Sequence, residues 1–174
     1  MKGLPEEIKT TDEPQLGVVI DADLNVDNPE LSVEDRWKAL IYRLKESGYT
    51  SIPSLPNADG TIIKGNDDLP TIGIWVMPDN QLQGKIEDFV RLLVPPYKVR
   101  EALWKRAEKS VQSMPKTRQL FSSNDIPKAN IYTYLAWQEE PGRPIGESIT
   151  RRYLTADAPI AAKFIDWIRT LFNL

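Results

Sequence analysis

Cysteine and histidine are both missing from this chain of 174 residues. Without cysteine there is no disulfide, no zinc–thiolate centre, no iron–sulfur cluster and no thiol nucleophile. Without histidine there is no Ser-His-Asp triad, and both the usual general base and the commonest transition-metal ligand are gone. The chemistry left is that of carboxylates, hydroxyls, lysine and arginine, and oxygen donors suit Mg²⁺, Mn²⁺ or Ca²⁺. No apolar run approaches the roughly 20 residues of a membrane span, and the first residues lack a signal-peptide core. A soluble, cytoplasmic protein with no membrane partner is therefore expected. Positive charge is not in excess either: 22 Lys and Arg stand against 25 Asp and Glu, a formal net charge of −3. A nucleic acid would have to be held by a local basic patch or through a metal. No Gly-x-Gly-x-x-Gly run and no P-loop is present, which argues against those modes of nucleotide binding.

What is present is ordinary globular composition, 41% hydrophobic and 27% charged, in a length that suits one domain. The most informative segment is Leu16-Gly17-Val18-Val19-Ile20-Asp21-Ala22-Asp23. It is a short apolar run rich in β-branched residues, which predicts a buried strand of a parallel sheet. Asp21 and Asp23 follow at i, i+2, so continued extended geometry points both to one side. Open α/β sheets bind ligands just outside the carboxyl ends of their strands. Two like charges converging there repel unless a cation lies between them, which points to a hard divalent ion, Mg²⁺ foremost. A plainer reading stands beside it, in which both aspartates cap the strand and begin a solvated turn.

The first fifteen residues are polar, with one weak amphipathic turn around Leu4 and Ile8. Ser32 is a good N-cap for a helix carrying Val33, Trp37, Leu40, Ile41 and Leu44, which Gly48 ends. Residues 51–69 form a turn-rich excursion around one short β-like piece, Thr61 to Lys64. Pro70 to Met77 reads as a second apolar strand, and it too runs into an acid, Asp79. A helix from about Gly84 follows, with Ile86, Phe89, Val90 and Leu93 inward and Glu87 and Asp88 in its first turns. If the two strands are parallel, Asp21, Asp23 and Asp79 lie along one edge of the sheet. After Pro95-Pro96 the β character largely ends. Helices are expected over Tyr97–Met114, around Ile131–Trp137, over Ile145–Tyr153, and from Pro159 to Phe172.

In chain order, Val-Val-Ile-Asp-Ala-Asp, Trp-Val-Met-Pro-Asp-Asn, Gly-Lys-Ile-Glu-Asp-Phe and Leu-Ala-Trp-Gln-Glu-Glu-Pro-Gly resemble an uncharacterised bacterial Toprim-like family. That family is related to the Toprim domains of topoisomerases, primases and overcoming-lysogenisation-defect nucleases. The resemblance covers Leu16 to Phe172. It implies an α/β fold with a Toprim-like, Rossmann-like, mostly parallel sheet flanked by helices. It implies a single domain over residues 1–174, with a core at about 14–95 and a helical C-terminal extension at about 96–174. Asp21 and Asp23 would be Mg²⁺ (or Mn²⁺) ligands, with Asp79, Glu87 and Asp88 as further acids near the metal. The activity implied is that of a Mg-dependent nuclease or phosphotransfer enzyme acting on nucleic acid. Relatives have a strand, a catalytic glutamate and a helix ahead of the Asp-x-Asp strand. Here fifteen mostly polar residues precede Leu16, and Glu6, Glu7 and Glu13 sit in the wrong context to replace that glutamate. A shortened chain is therefore expected, with metal binding better supported than catalysis.

Other constellations carry less. Lys98, Arg100, Lys105, Arg106 and Lys109, with Arg151 and Arg152, could contact phosphates, but such a strip is more often the solvated face of an amphipathic helix. The series Asp21, Asp23, Asn25, Asp27 imitates half an EF-hand loop, yet Val26 replaces the required Gly and Ser32 the required Glu. Trp137-Gln138-Glu139-Glu140 is read either as lining the acidic site or as a helix end. Trp37, Trp75, Trp104 and Trp167 are assigned to packing. The competing functional reading is a non-catalytic interaction module: a homo-oligomer, or a subunit that pairs through an open sheet edge with another chain or a missing N-terminal segment.

Overall fold

A computed structural model describes residues 3–22, 33–66 and 68–174. Asp23 and the Ser32 cap lie outside the described residues. The element order is α1 (Leu4–Thr10), β1 (Gln15–Asp21), α2 (Val33–Glu46), β2 (Thr61–Ile63), β3 (Thr71–Met77), α3 (Ile86–Leu92), α4 (Lys98–Gln112), α5 (Ile126–Ala136), α6 (Ile145–Thr150) and α7 (Pro159–Phe172). The protein is α/β.

The sheet has three strands in the order β1-β3-β2. β1 runs parallel to β3 with Gln15 opposite Thr71 and Asp21 opposite Met77, whereas β2 is antiparallel to β3. The sheet is thus small and mixed rather than mostly parallel. The antiparallel member arises from the turn-rich excursion, whose Asn66–Leu69 bridge folds β2 straight back onto β3.

Strand alternation splits the core in two. Ile72, Ile74 and Val76 face α1 and α2, where they meet Ile8, Trp37, Leu40, Leu44 and Tyr49. Trp75 and Met77 face the other way, into a larger cluster built from α3, α4, α5 and α7. All four tryptophans assigned to packing are buried. Gly48, at φ +105°, ends α2 in the left-handed conformation that glycine adopts without strain. Gly73 permits a close approach: a Cβ there would lie 2.4 Å from Leu171 Cδ2, so the C-terminal turn of α7 rests directly on the sheet.

β1 differs from the expectation. It reads as a buried strand, but it borders the sheet, with Val19 46% exposed and Leu16, Val18 and Ile20 only partly covered. An apolar run of this length does not distinguish a central strand from an edge strand, because neighbours and not the residues themselves decide it.

Candidate functional site

The carboxyl ends of β1 and β3 lie side by side, because the parallel register pairs Asp21 with Met77. Asp21 is half-buried, and its Oδ1 accepts the N–H of Ile86 at 3.0 Å. That bond joins residues 65 apart in sequence and fastens the β1 exit to the start of α3. Glu87, half-buried, occupies the first turn of α3 immediately after Ile86.

The β3–α3 loop is organised by its own side chains. A cis peptide joins Met77 to Pro78. Asp79 Oδ1 accepts the N–H groups of Gln81 (3.0 Å) and Leu82 (2.8 Å), an Asx turn. Asp88 Oδ2 accepts the N–H of Lys85 (2.8 Å), and the N–H of Asp88 donates to the Lys85 carbonyl (3.0 Å), so the two residues close the start of α3 reciprocally. Gly84 leaves room for this, since a Cβ there would stand 2.8 Å from Asp88 Oδ2.

Asn80 holds a place in this loop that no sequence pattern marks. It is 2% exposed and left-handed at φ +65°. Its N–H donates to the Val76 carbonyl and its Oδ1 accepts the Val76 N–H, both at 2.7 Å. Thr71 donates its N–H to Pro14 of the β1 side, so alternation turns the backbone groups of Ile72, Ile74 and Val76 toward β2. β2 reaches only as far as Ile74, and Asn80 takes both groups of Val76 in its place. The sequence signal, Asp-Asn after a strand, was legible as a turn but not as a buried end-piece.

Other candidates fall elsewhere. Arg100 hydrogen-bonds to Gln138 and stacks on Tyr153 at 5.3 Å, so it belongs to packing, while Lys98, Lys105, Arg106 and Lys109 are exposed. Arg151 pairs with Glu140 at 2.6 Å. Gln138 is buried and donates to the Tyr134 carbonyl (2.8 Å), and Tyr153 Oη accepts the Glu140 N–H (3.1 Å). The Trp137–Glu140 segment therefore ties the end of α5 to α4 and to the turn that follows α6. Arg143 bonds to Glu140, and with Arg151 nearby this holds the Glu140 carboxyl below its ordinary range. A cavity of about 590 Å³ lined by Asp12, Glu13, Asn66 and Asp68 opens at the amino ends of β1 and β3, away from Asp21.

Among the described residues, no group of three or more acids is placed to hold a metal ion. Asp21, Asp79 and Asp88 instead each accept backbone amides in or beside one loop. A Mg²⁺ ion that keeps most of its water needs only one or two carboxylates, however, and Asp21 offers a second oxygen at the strand exit. The oxygen-only donor set fits such an ion. Among the described residues, no helix is long and apolar enough to cross a membrane.

Comparison with curated proteins and with solved structures gives no match, and nothing in the comparisons links the chain to Toprim domains. One family model, described as "Protein of unknown function (DUF3226)", matches residues 1–173, and the chain belongs to that family.

Proposed function

We propose that the carboxyl edge formed by the β1 exit and the β3–α3 loop is a Mg²⁺ site serving phosphoryl-transfer chemistry on a phosphodiester such as a nucleic-acid backbone. The observation that carries this reading is the placement of Asp21 at a parallel strand exit, pinned by the Ile86 N–H. Asp21 and Asp23 are the assigned ligands, and Glu87 is the acid nearest in the chain to the pinning amide. Asp79 and Asp88 serve mainly to shape the loop, each through an oxygen bonded to backbone N–H groups.

When bound, such an ion supplies neutralising charge for phosphoryl oxygens. The chain itself supplies orientation: the Ile86 amide fixes the plane of the Asp21 carboxylate, and the Asp79 turn fixes the loop that faces it. Glu87, in the first turn of α3 beside the pinning amide, is a further acid near the ion.

The test is calorimetric titration of Mg²⁺ and Mn²⁺ into the wild type and into Asp21→Asn and Asp23→Asn. The expected result is a saturating heat in the wild type that is lost or weakened at least about tenfold in both variants. Indistinguishable isotherms across the three proteins would overturn the site. Metal-dependent nicking of a nucleic acid by the wild type, absent from Asp21→Asn, extends the result from binding to chemistry.

A further inference from the structure

Among the described residues the outer edge of β1 has no strand beside it, and its composition suits a copy of itself. The Thr71 N–H donates to the Pro14 carbonyl, so in the parallel ladder Leu16, Val18 and Ile20 direct their backbone groups to β3. The N–H and C=O groups of Gln15, Gly17, Val19 and Asp21 then face outward. Among the described residues, no backbone hydrogen bond satisfies this outer row. Monomeric proteins usually blunt such a border with lysine, proline, a bulge or a covering segment. Gln15–Asp21 contains no lysine and no proline, and its single charge is at the last position. Val19 (46% exposed) and Phe172 (39% exposed) add apolar surface beside it, Phe172 packing over Gly17.

We propose that β1 pairs antiparallel with β1 of a second copy of this chain about a two-fold axis at Val18, extending the sheet in the order β2-β3-β1-β1-β3-β2. The inference is independent of the metal site. Two conditions fix the register. Outward-facing residues must oppose outward-facing residues, which requires the axis to pass through a residue and not between two. Using the whole strand then places that axis at Val18. Gln15 lies opposite Asp21 of the second copy, Leu16 opposite Ile20, Gly17 opposite Val19, and Val18 opposite Val18. Four facing pairs that each exchange two bonds give about eight hydrogen bonds. The lone carboxylate meets a neutral amide rather than its own copy, whereas parallel self-pairing would set the two Asp21 residues side by side. The partner chemistry recognised by this edge is therefore the edge itself.

The experiment uses the full chain. Light scattering coupled to size exclusion should return twice the 19.8 kDa protomer mass at micromolar concentration. Val19→Pro removes an outward N–H and leaves the β1–β3 ladder intact, so it should give a monomer with unchanged circular dichroism. Because the chain has no cysteine, Val18→Cys introduces the sole thiol. In a non-hydrogen-bonded antiparallel pair the two Cα atoms stand about 4.5 Å apart, within reach of a disulfide. Mild oxidation should convert most of the Val18→Cys protein to a covalent dimer, while a cysteine placed at exposed Lys105 should not cross-link. A monomeric wild type overturns the proposal. So does a dimer that survives Val19→Pro and fails to cross-link through position 18. Mg²⁺ titration of monomeric Val19→Pro keeps this outcome separate from that of the metal site, whose ligands the substitution does not touch.

Discussion

Replacing Asn80 should show how the sheet is ended. Asn80→Ala removes the acceptor for the Val76 N–H, a group buried at the end of β3. Leaving a buried donor unsatisfied costs about 1–3 kcal/mol. Alanine must also adopt φ +65°, a conformation that asparagine tolerates and alanine does not, at roughly 1 kcal/mol more. One contribution acts in the opposite direction: Asn80 Nδ2 is buried with no partner among the described residues, so its removal relieves some desolvation. The net expectation is a loss of about 2–3 kcal/mol for Asn80→Ala, and in a domain of this size a Tm lower by roughly 5–10 °C. Asn80→Gly is free of the left-handed strain but still lacks the acceptor, so it should fall between Ala and wild type. Urea unfolding monitored by circular dichroism measures both, with the m-value checked for constancy. If Ala and Gly each lie within about 0.5 kcal/mol of wild type, the Asn80–Val76 fold-back does not hold the end of β3. If Gly is as damaging as Ala, the strain component is refuted and only the hydrogen bond survives.

Gly73→Ala places a Cβ 2.4 Å from Leu171 Cδ2 in a buried contact, and overpacking of this kind should cost about 1–3 kcal/mol. Combining it with Leu171→Ala should cost less than the sum of the two single changes, because the methyl enters the space vacated; additive losses in urea unfolding would refute the close approach. Glu140 has its carboxyl pKa lowered first by the Arg143 hydrogen bond and then by the charges of Arg151 and Arg143. A depressed folded-state pKa contributes stability above the unfolded value, and that contribution is lost as pH falls through the folded value. The Tm difference between wild type and Glu140→Gln should therefore shrink as pH is lowered from about 7 toward 2, and a constant difference would refute the assignment.

The order of the elements was legible because each rests on a local pattern. The 3.6-residue spacing of Val33, Trp37, Leu40 and Leu44 gave α2, and Gly48 gave its end. The apolar run at Ile72–Met77 gave the buried central strand. Two matters were not legible. Neighbour relations are one: β1 and β3 look alike as sequences, yet one is enclosed and the other forms a border, since β2 folds back onto the far side of β3. Helix ends are the other. α6 stops at Thr150, three residues short of the expected limit, where Tyr153 and Leu154 direct their N–H groups to the Ser148 carbonyl. Trp137, the last residue of the helix expected around Ile131–Trp137, is 42% exposed just beyond α5, while its neighbour Gln138 is buried through two side-chain bonds. Hydropathy ranks these two residues in the opposite order.

The acids of the candidate site show how far charge counting reaches. Convergent carboxylates suggest a cation because like charges repel, but backbone amides answer the same repulsion. Asp79 accepts two N–H groups of the β3–α3 loop, Asp88 accepts the one that precedes α3, and Asp21 accepts that of Ile86. Each N–H carries partial positive charge, so the acids along this edge have a local electrostatic reason to exist before any ion is considered. The loop needs these acceptors because a chain reversing from a strand into a helix leaves several N–H groups without intrahelical partners. An amide side chain meets that need too, with a weaker bond, since both present a carbonyl-type oxygen. A cation distinguishes them far more sharply, because it requires the charge and not merely the acceptor. Asparagine at position 21 therefore separates the two roles: it preserves the bond to Ile86 while withdrawing the charge. A protein of unchanged stability that no longer takes up Mg²⁺ assigns Asp21 to the ion, whereas unchanged stability with unchanged uptake assigns it to the backbone alone.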